Sequence, residues 1–161
     1  MRCSADALSS AGRQLMERRQ FLADAATGRI VRKLTSTATD PHVSSIQFIY
    51  SAGAWDSTSR QIAVATVASG RAALAIYDAH TGSRTREIPV TDVDEILNPT
   101  WSPDGRSILF TSDRGGSPQI YRVGVDGGAV ERITFDGSYN VSPRPLPDGK
   151  GMVYVRRDGG R

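Results

Sequence analysis

The sequence predicts an all-β fold, a partial β-propeller of four-stranded antiparallel blades, about three to four of them in an open or truncated ring. Three observations predict it. Turn markers recur on a beat of 44 to 46 residues. The runs between the markers are short and rich in Val, Ile, Tyr and Phe. Those runs are apolar on both faces, as a sheet covered on both sides requires.

The clearest unit is Trp101-Ser102-Pro103-Asp104-Gly105 followed by Ile108-Leu109-Phe110. Leu146-Pro147-Asp148-Gly149 followed by Met152-Val153-Tyr154 repeats it, with Pro103 and Pro147 standing 44 positions apart. Trp55-Asp56-Ser57-Thr58-Ser59 before Ile62-Ala63-Val64 is an earlier, degraded copy, and Trp55 and Trp101 stand 46 positions apart. A second marker keeps the same beat: Asp78-Ala79-His80-Thr81-Gly82, then Asp126-Gly127-Gly128, with Gly82 and Gly128 also 46 apart. Asp24-Ala25-Ala26-Thr27-Gly28 is its first copy.

Each marker has a physical reason. Pro103 presets φ at the first corner of a tight turn, Asp104 caps it and Gly105 takes a positive φ. Asp126-Gly127-Gly128 reads as a hairpin turn. Between the turns, one unit resolves into strands at about Asn98–Ser102, Ser107–Ser112, Gln119–Val125 and Val130–Thr134, within an apolar run that extends to Phe135. The whole chain, 1–161, is then a single domain. It holds a blade tail at about 14–35, blades at about 46–90 and 96–135, and the start of another at about 141–157. Closed rings usually need about four to eight blades, so an open ring is expected.

Composition excludes several functions. The net charge is +3 and the basic residues are scattered, with no run longer than two. A nucleic-acid binder concentrates that charge in a stripe, so no nucleic-acid partner is expected. Cys3 is the only cysteine and cannot form an intrachain disulfide. No run is long and apolar enough for a membrane span. The N-terminus, Met1-Arg2-Cys3-Ser4-Ala5-Asp6, lacks the apolar core of a signal peptide.

Asn98-Pro99-Thr100-Trp101-Ser102-Pro103-Asp104-Gly105, Thr111-Ser112-Asp113-Arg114-Gly115-Gly116, Gln119-Ile120-Tyr121 and Arg132-Ile133-Thr134 together resemble the propeller repeat of TolB-like proteins. The resemblance is strong over 98–155 and weaker over 20–97. It departs at Ser57-Thr58-Ser59, where the family has Pro-Asp-Gly, and at Pro145, where Trp is expected. It implies a periplasmic or otherwise extracytoplasmic scaffold that binds a protein partner and is not an enzyme. Similar repeats occur in the propellers of prolyl-oligopeptidase-like serine peptidases. The alternative function is therefore a gating propeller whose catalytic domain lies outside this chain. A third expectation is self-association through open blade faces.

No catalytic, metal or cofactor site is expected. There is no Gly-x-Ser-x-Gly pentad for a nucleophile elbow. Gly115-Gly116 and Gly127-Gly128 lack the Lys and helix of a phosphate loop. His42 and His80 lie in different units, each two positions after an Asp, without a third ligand nearby in sequence. The Asp-Gly pairs at 104–105, 126–127, 136–137, 148–149 and 158–159 stand singly, as turns rather than calcium loops. Trp55 and Trp101 hold equivalent places and are expected to pack blade on blade.

One positional argument points to a site. In an up-and-down blade the second-to-third turn and the blade-to-blade linker share one face, and the tight turns occupy the other. Binding residues favour the longer loops of a rigid scaffold. Such loops include Asp40-Pro41-His42, Ser69-Gly70-Arg71, 91–95, 112–114 and 136–140, and the expected binding residues are Asp113, Arg114, Tyr139 and Asn140.

Overall fold

The computed structural model describes residues 21–23, 25–32, 54–68, 71–91 and 96–158. Every regular element among the described residues is a strand. These are β1 (Phe21–Ala23), β2 (Ile30–Arg32), β3 (Gln61–Ala68), β4 (Arg71–Asp78), β5 (Arg84–Val90), β6 (Ile96–Trp101), β7 (Ser107–Ser112), β8 (Gln119–Gly124), β9 (Gly127–Arg132), β10 (Tyr139–Pro145) and β11 (Met152–Arg157). They form four antiparallel sheets with the orders β1-β2, β3-β4-β5, β6-β7-β8-β9 and β10-β11. The chain is a partial propeller, in which the β3-β4-β5, β6-β7-β8-β9 and β10-β11 sheets lean one on the next.

The β3 sheet is flanked by an isolated bridge between Trp55 and Ile62. Trp101 and Ile108 pair the same way in the next sheet. The residues before Ala54 in that unit lie outside the described residues, together with the expected loops at 40–42, 69–70 and 92–95 and with Cys3 and His42.

Two strands, β9 and β6, begin two or more residues earlier than the sequence reading has them. β9 begins at Gly127, not Val130, and ends at Arg132. Gly127 and Gly128, at φ 88° and 101°, belong to the ladder, and the turn is Val125-Asp126. A register shift between Arg122 and Gly124 accommodates two extra residues on β9, as a bulge built on glycine can. β6 begins at Ile96, not Asn98, because the ladder runs through Asn98-Pro99 by a bulge between Leu97 and Thr100. Asn98 takes φ 52° there, and Ser142 takes φ 59° at the matching bulge of β10.

The tight turns follow one pattern. The Gly105 amide donates to the Ser102 carbonyl at 2.9 Å, the Gly149 amide to Leu146 at 2.9 Å and the Ser59 amide to Asp56 at 3.0 Å. The third residue past each turn start has positive φ: Gly105 69°, Gly149 69°, Ser59 57°. The degraded copy keeps the backbone of the intact ones.

The main core lies between the β3-β4-β5 and β6-β7-β8-β9 sheets. Ala63, Ala65, Ala72, Leu74, Ile76, Ile88 and Val90 meet Ile96, Trp101, Ile108, Phe110, Tyr121 and Val123. Small residues on one face receive aromatics from the other, as close packing of two sheets requires. Phe110 and Tyr121 stack at 6.1 Å across the β7–β8 pair. The Trp101 indole N–H donates to the Ala54 carbonyl at 3.0 Å, tying one blade to the next. At the outer edge Arg86 donates to the Val125 carbonyl at 2.7 Å and pairs with Asp126. The opposite face of β7-β8 is covered by β10, which explains continuous burial along β7 from Ile108 to Ser112.

Candidate functional site

The loop face of the four-stranded blade is built from the β7–β8 loop (113–118) and the β9–β10 linker (133–138). The linker is held from below by a buried polar network. Gln119, wholly buried, accepts from Thr134 Oγ1 and Asn140 Nδ2, both at 2.8 Å. Its own amide donates to the Gly137 carbonyl at 3.1 Å. Asn140 Nδ2 also donates to the Asp136 carbonyl at 2.7 Å, and the Asn140 backbone donates to Pro118 at 2.9 Å. Such a network fixes loop positions, because each broken bond strands a buried polar atom.

Above the network lie cations and aromatics. The Arg114 guanidinium sits 5.7 Å from the Tyr121 ring centre, and that of Arg132 sits 5.2 Å from Phe135. Arg132 Nε donates to the Thr134 carbonyl at 2.6 Å, which fixes the group over the ring. Gly115 is the junction: a Cβ built there would stand 3.0 Å from the Tyr121 hydroxyl and 3.5 Å from Arg132 Nη1. The Gly116 amide closes the loop onto the Asp113 carbonyl at 2.7 Å. Arg114, Gly115, Arg132 and Phe135 therefore lie side by side, joined beneath by the buried Tyr121.

The four expected residues fall in three places. Asp113 and Arg114 are half-buried in the β7–β8 loop. Tyr139 is exposed and opens β10 opposite Arg157. Asn140 is wholly buried in the network below. Two side-chain oxygens there, Asp113 Oδ1 and Asn140 Oδ1, are buried and take no hydrogen bond. Sequence reasoning missed Phe135. It was counted in an apolar strand run, but it lies past β9 and is 70% exposed. The clue was Asp136-Gly137 directly after it, a turn signal that no strand would carry inside.

The opposite face carries tight turns held by carboxylates. Asp78 Oδ1 accepts from the His80 amide (2.9 Å), the Thr81 amide (2.6 Å) and the Thr81 hydroxyl (2.9 Å). Those bonds, the Thr81 amide first, hold its carboxyl below the ordinary aspartate value. Asp104 is lowered likewise, chiefly by the Ser102 hydroxyl and then the Arg106 amide. Burial pushes Asp56 up, but hydrogen bonds from Thr58, Gln61 and Arg60 outweigh it and the net direction is down. His80 is exposed in its turn. Among the described residues no three His, Cys, Asp or Glu side chains converge as metal ligands, and no helix is long and apolar enough to cross a membrane.

The family description TolB beta propeller domain matches residues 22–161. The chain belongs to the TolB β-propeller family. The TolB crystal structure from Acinetobacter baumannii superposes with a TM-score of 0.62 at 30% identity, covering 88% of this chain and 32% of that one. The Tol-Pal system protein TolB of Bordetella pertussis is 52% identical over 56 residues, 33% of this chain and 12% of the TolB protein. An uncharacterised protein of Agrobacterium fabrum is 50% identical over 60 residues, 37% of this chain and 20% of that protein. The matched segments thus span a third or less of these relatives. In this chain the Trp-Ser-Pro-Asp-Gly segment builds the tight turn and the Ser-Asp-Arg-Gly-Gly segment builds the loop that carries Asp113 and Arg114.

Proposed function

We propose that this chain is a non-catalytic, protein-binding scaffold of the TolB type, acting outside the cytoplasm, with its loop face as the contact surface. The observation that carries the reading is the exposed Phe135 under Arg132, beside Arg114 over Tyr121, on a linker pinned by Gln119 and Asn140. Aromatic and Arg side chains are the groups that dominate protein–protein contacts. Holding them in place before binding lowers the ordering cost. In this reading Asp113, Arg114, Phe135 and Tyr139 touch the partner, and Asn140 keeps the linker in position. The family match and the TolB names of the relatives support it over the peptidase-gating alternative.

Photo-crosslinking in an envelope extract tests the reading. A photoreactive residue at Phe135 or Tyr139 is expected to capture a Tol-Pal system protein, and one at Asp104 or Asp148 on the opposite face is not. Equal capture from both faces, or none from Phe135 and Tyr139, rejects it. Arg114→Ala with Phe135→Ala is expected to reduce capture with no change in the unfolding midpoint.

A further inference from the structure

The five Asp-Gly pairs share one covalent hazard, and the fold treats them differently. The Gly amide nitrogen can attack the Asp Cγ, closing a five-membered succinimide and expelling water. Water then opens the ring at either carbonyl, giving back Asp or leaving isoaspartate, whose main chain runs through the side-chain methylene. The sum is an isomerisation that needs no oxidant, reductant or enzyme. It does need a free amide and a carboxyl able to swing onto it.

At 104–105 neither is free. The Gly105 amide is held by the Ser102 carbonyl at 2.9 Å. Asp104 Oδ1 is held by the Ser102 hydroxyl at 2.6 Å and the Arg106 amide at 3.0 Å. At 148–149 the Gly149 amide is held by Leu146 at 2.9 Å, and Asp148 Oδ1 by the Lys150 amide at 3.0 Å. At 126–127 the carboxylate is paired with Arg86, and Gly127 is locked in register with Gly124. The pair 158–159 runs out of the described residues.

Asp136-Gly137 is the exception. Both residues are exposed. Among the described residues, no acceptor holds the Gly137 amide, and the Asp136 carboxylate takes no hydrogen bond. Arg156, whose charge Asp136 feels, forms its hydrogen bond with Asp158 instead, at 2.6 Å. Only the two carbonyls of the pair are tied, by Asn140 and Gln119, and both leave the reacting atoms free. We infer that Asp136 is a modification site, the position among 104, 126, 136 and 148 where the folded chain converts to isoaspartate first. The inserted methylene displaces the Asp136 and Gly137 carbonyls from Asn140 and Gln119. The change therefore lands in the linker that carries Phe135.

The test uses the four pairs of one molecule as mutual controls. The folded chain is aged at 37 °C and neutral pH. Isoaspartate is counted at each site by protein isoaspartyl methyltransferase labelling and peptide mapping, with a parallel sample aged in urea. Expected is accumulation at 136 about tenfold faster than at 104 or 148, and a few-fold faster than at 126, where the ion pair is exposed, since each of those must first break a hydrogen bond or ion pair. In urea the four rates converge. Asp136→Glu, which cannot close the five-membered ring, removes the signal at that peptide. Equal or faster conversion at 104, 126 or 148 in the folded chain overturns the inference. So does an unmodified Asp136 after a time that converts it in urea.

Discussion

Trp55 and Trp101 hold the same place in adjacent units, each paired to the start of the next strand, yet one is 51% exposed and the other 6%. The difference lies in the neighbour. Trp101 enters the alanine-rich face of the preceding sheet and finds the Ala54 carbonyl for its indole N–H. No described residue does the same for Trp55. A blade sequence therefore supplies a surface, and only the adjoining blade turns it into a core.

The turns show the converse, one geometry reached by two chemistries. In the later unit the Ser102 hydroxyl accepts from the Ser107 amide at 2.9 Å, and Pro103 and Gly105 preset the corners. In the earlier one the Asp56 carboxylate accepts from the amides of Arg60 and Gln61, both at 2.8 Å. Ser59 then takes the left-handed conformation that Gly105 takes freely. The carboxylate supplies what the missing Pro-Asp-Gly would have.

The largest break in the comparison is at the tryptophans. Trp101→Ala is expected to lower stability by about 3–5 kcal/mol, from lost burial and an unfilled cavity. Trp55→Ala is expected to cost under about 1 kcal/mol. Urea unfolding read at constant m-value checks both; equal losses would mean that Trp55 is covered after all. Next come the left-handed positions. Gly105→Ala is expected to cost about 1–2 kcal/mol and Ser59→Gly to gain up to about 1 kcal/mol, by the same strain with opposite sign. A loss on Ser59→Gly in thermal unfolding would show that the serine contributes more than backbone.

Arg86→Gln, at an exposed pair, is expected to cost about 1 kcal/mol or less, shrinking at high salt. The smallest effect is in acid. Asp56, Asp78 and Asp104 have folded pKa values below the unfolded one. Their contribution is full above the unfolded value and is lost as pH falls through the folded values. Replacing the three by Asn should flatten the stability profile below about pH 4 and lower the plateau at neutral pH. An unchanged acid limb would show that these turns do not report on folding.

Much of this was legible in the sequence because turn residues act locally. Pro103, Asp104 and Gly105 make their turn with bonds among neighbours, so spacing alone exposed the repeat. Gly127 and Gly128 misled, since glycine serves a bulge inside a ladder as readily as a turn. Asn140 reads as a loop polar residue because its partners, Gln119 and the carbonyls of Asp136 and Pro118, meet only after β8 and β10 pack. Phe135 was hidden by composition: an aromatic beside Ile133 looks like core until the chain direction past β9 is known.

The alanine and aromatic faces that meet in the main core are not interchangeable. The far side of the earlier blade offers Ile62, Val64, Ala75 and Tyr77 beside Trp55, with the Val64–Ala75 pair where the later blade has the stacked rings of Phe110 and Tyr121. A second copy of that blade set in place of its successor would leave its alanines facing an underfilled gap. The repeats resemble one another as words do in a sentence, sharing letters but fixed in order, so shuffling or duplicating one unit should fail where point changes within it succeed.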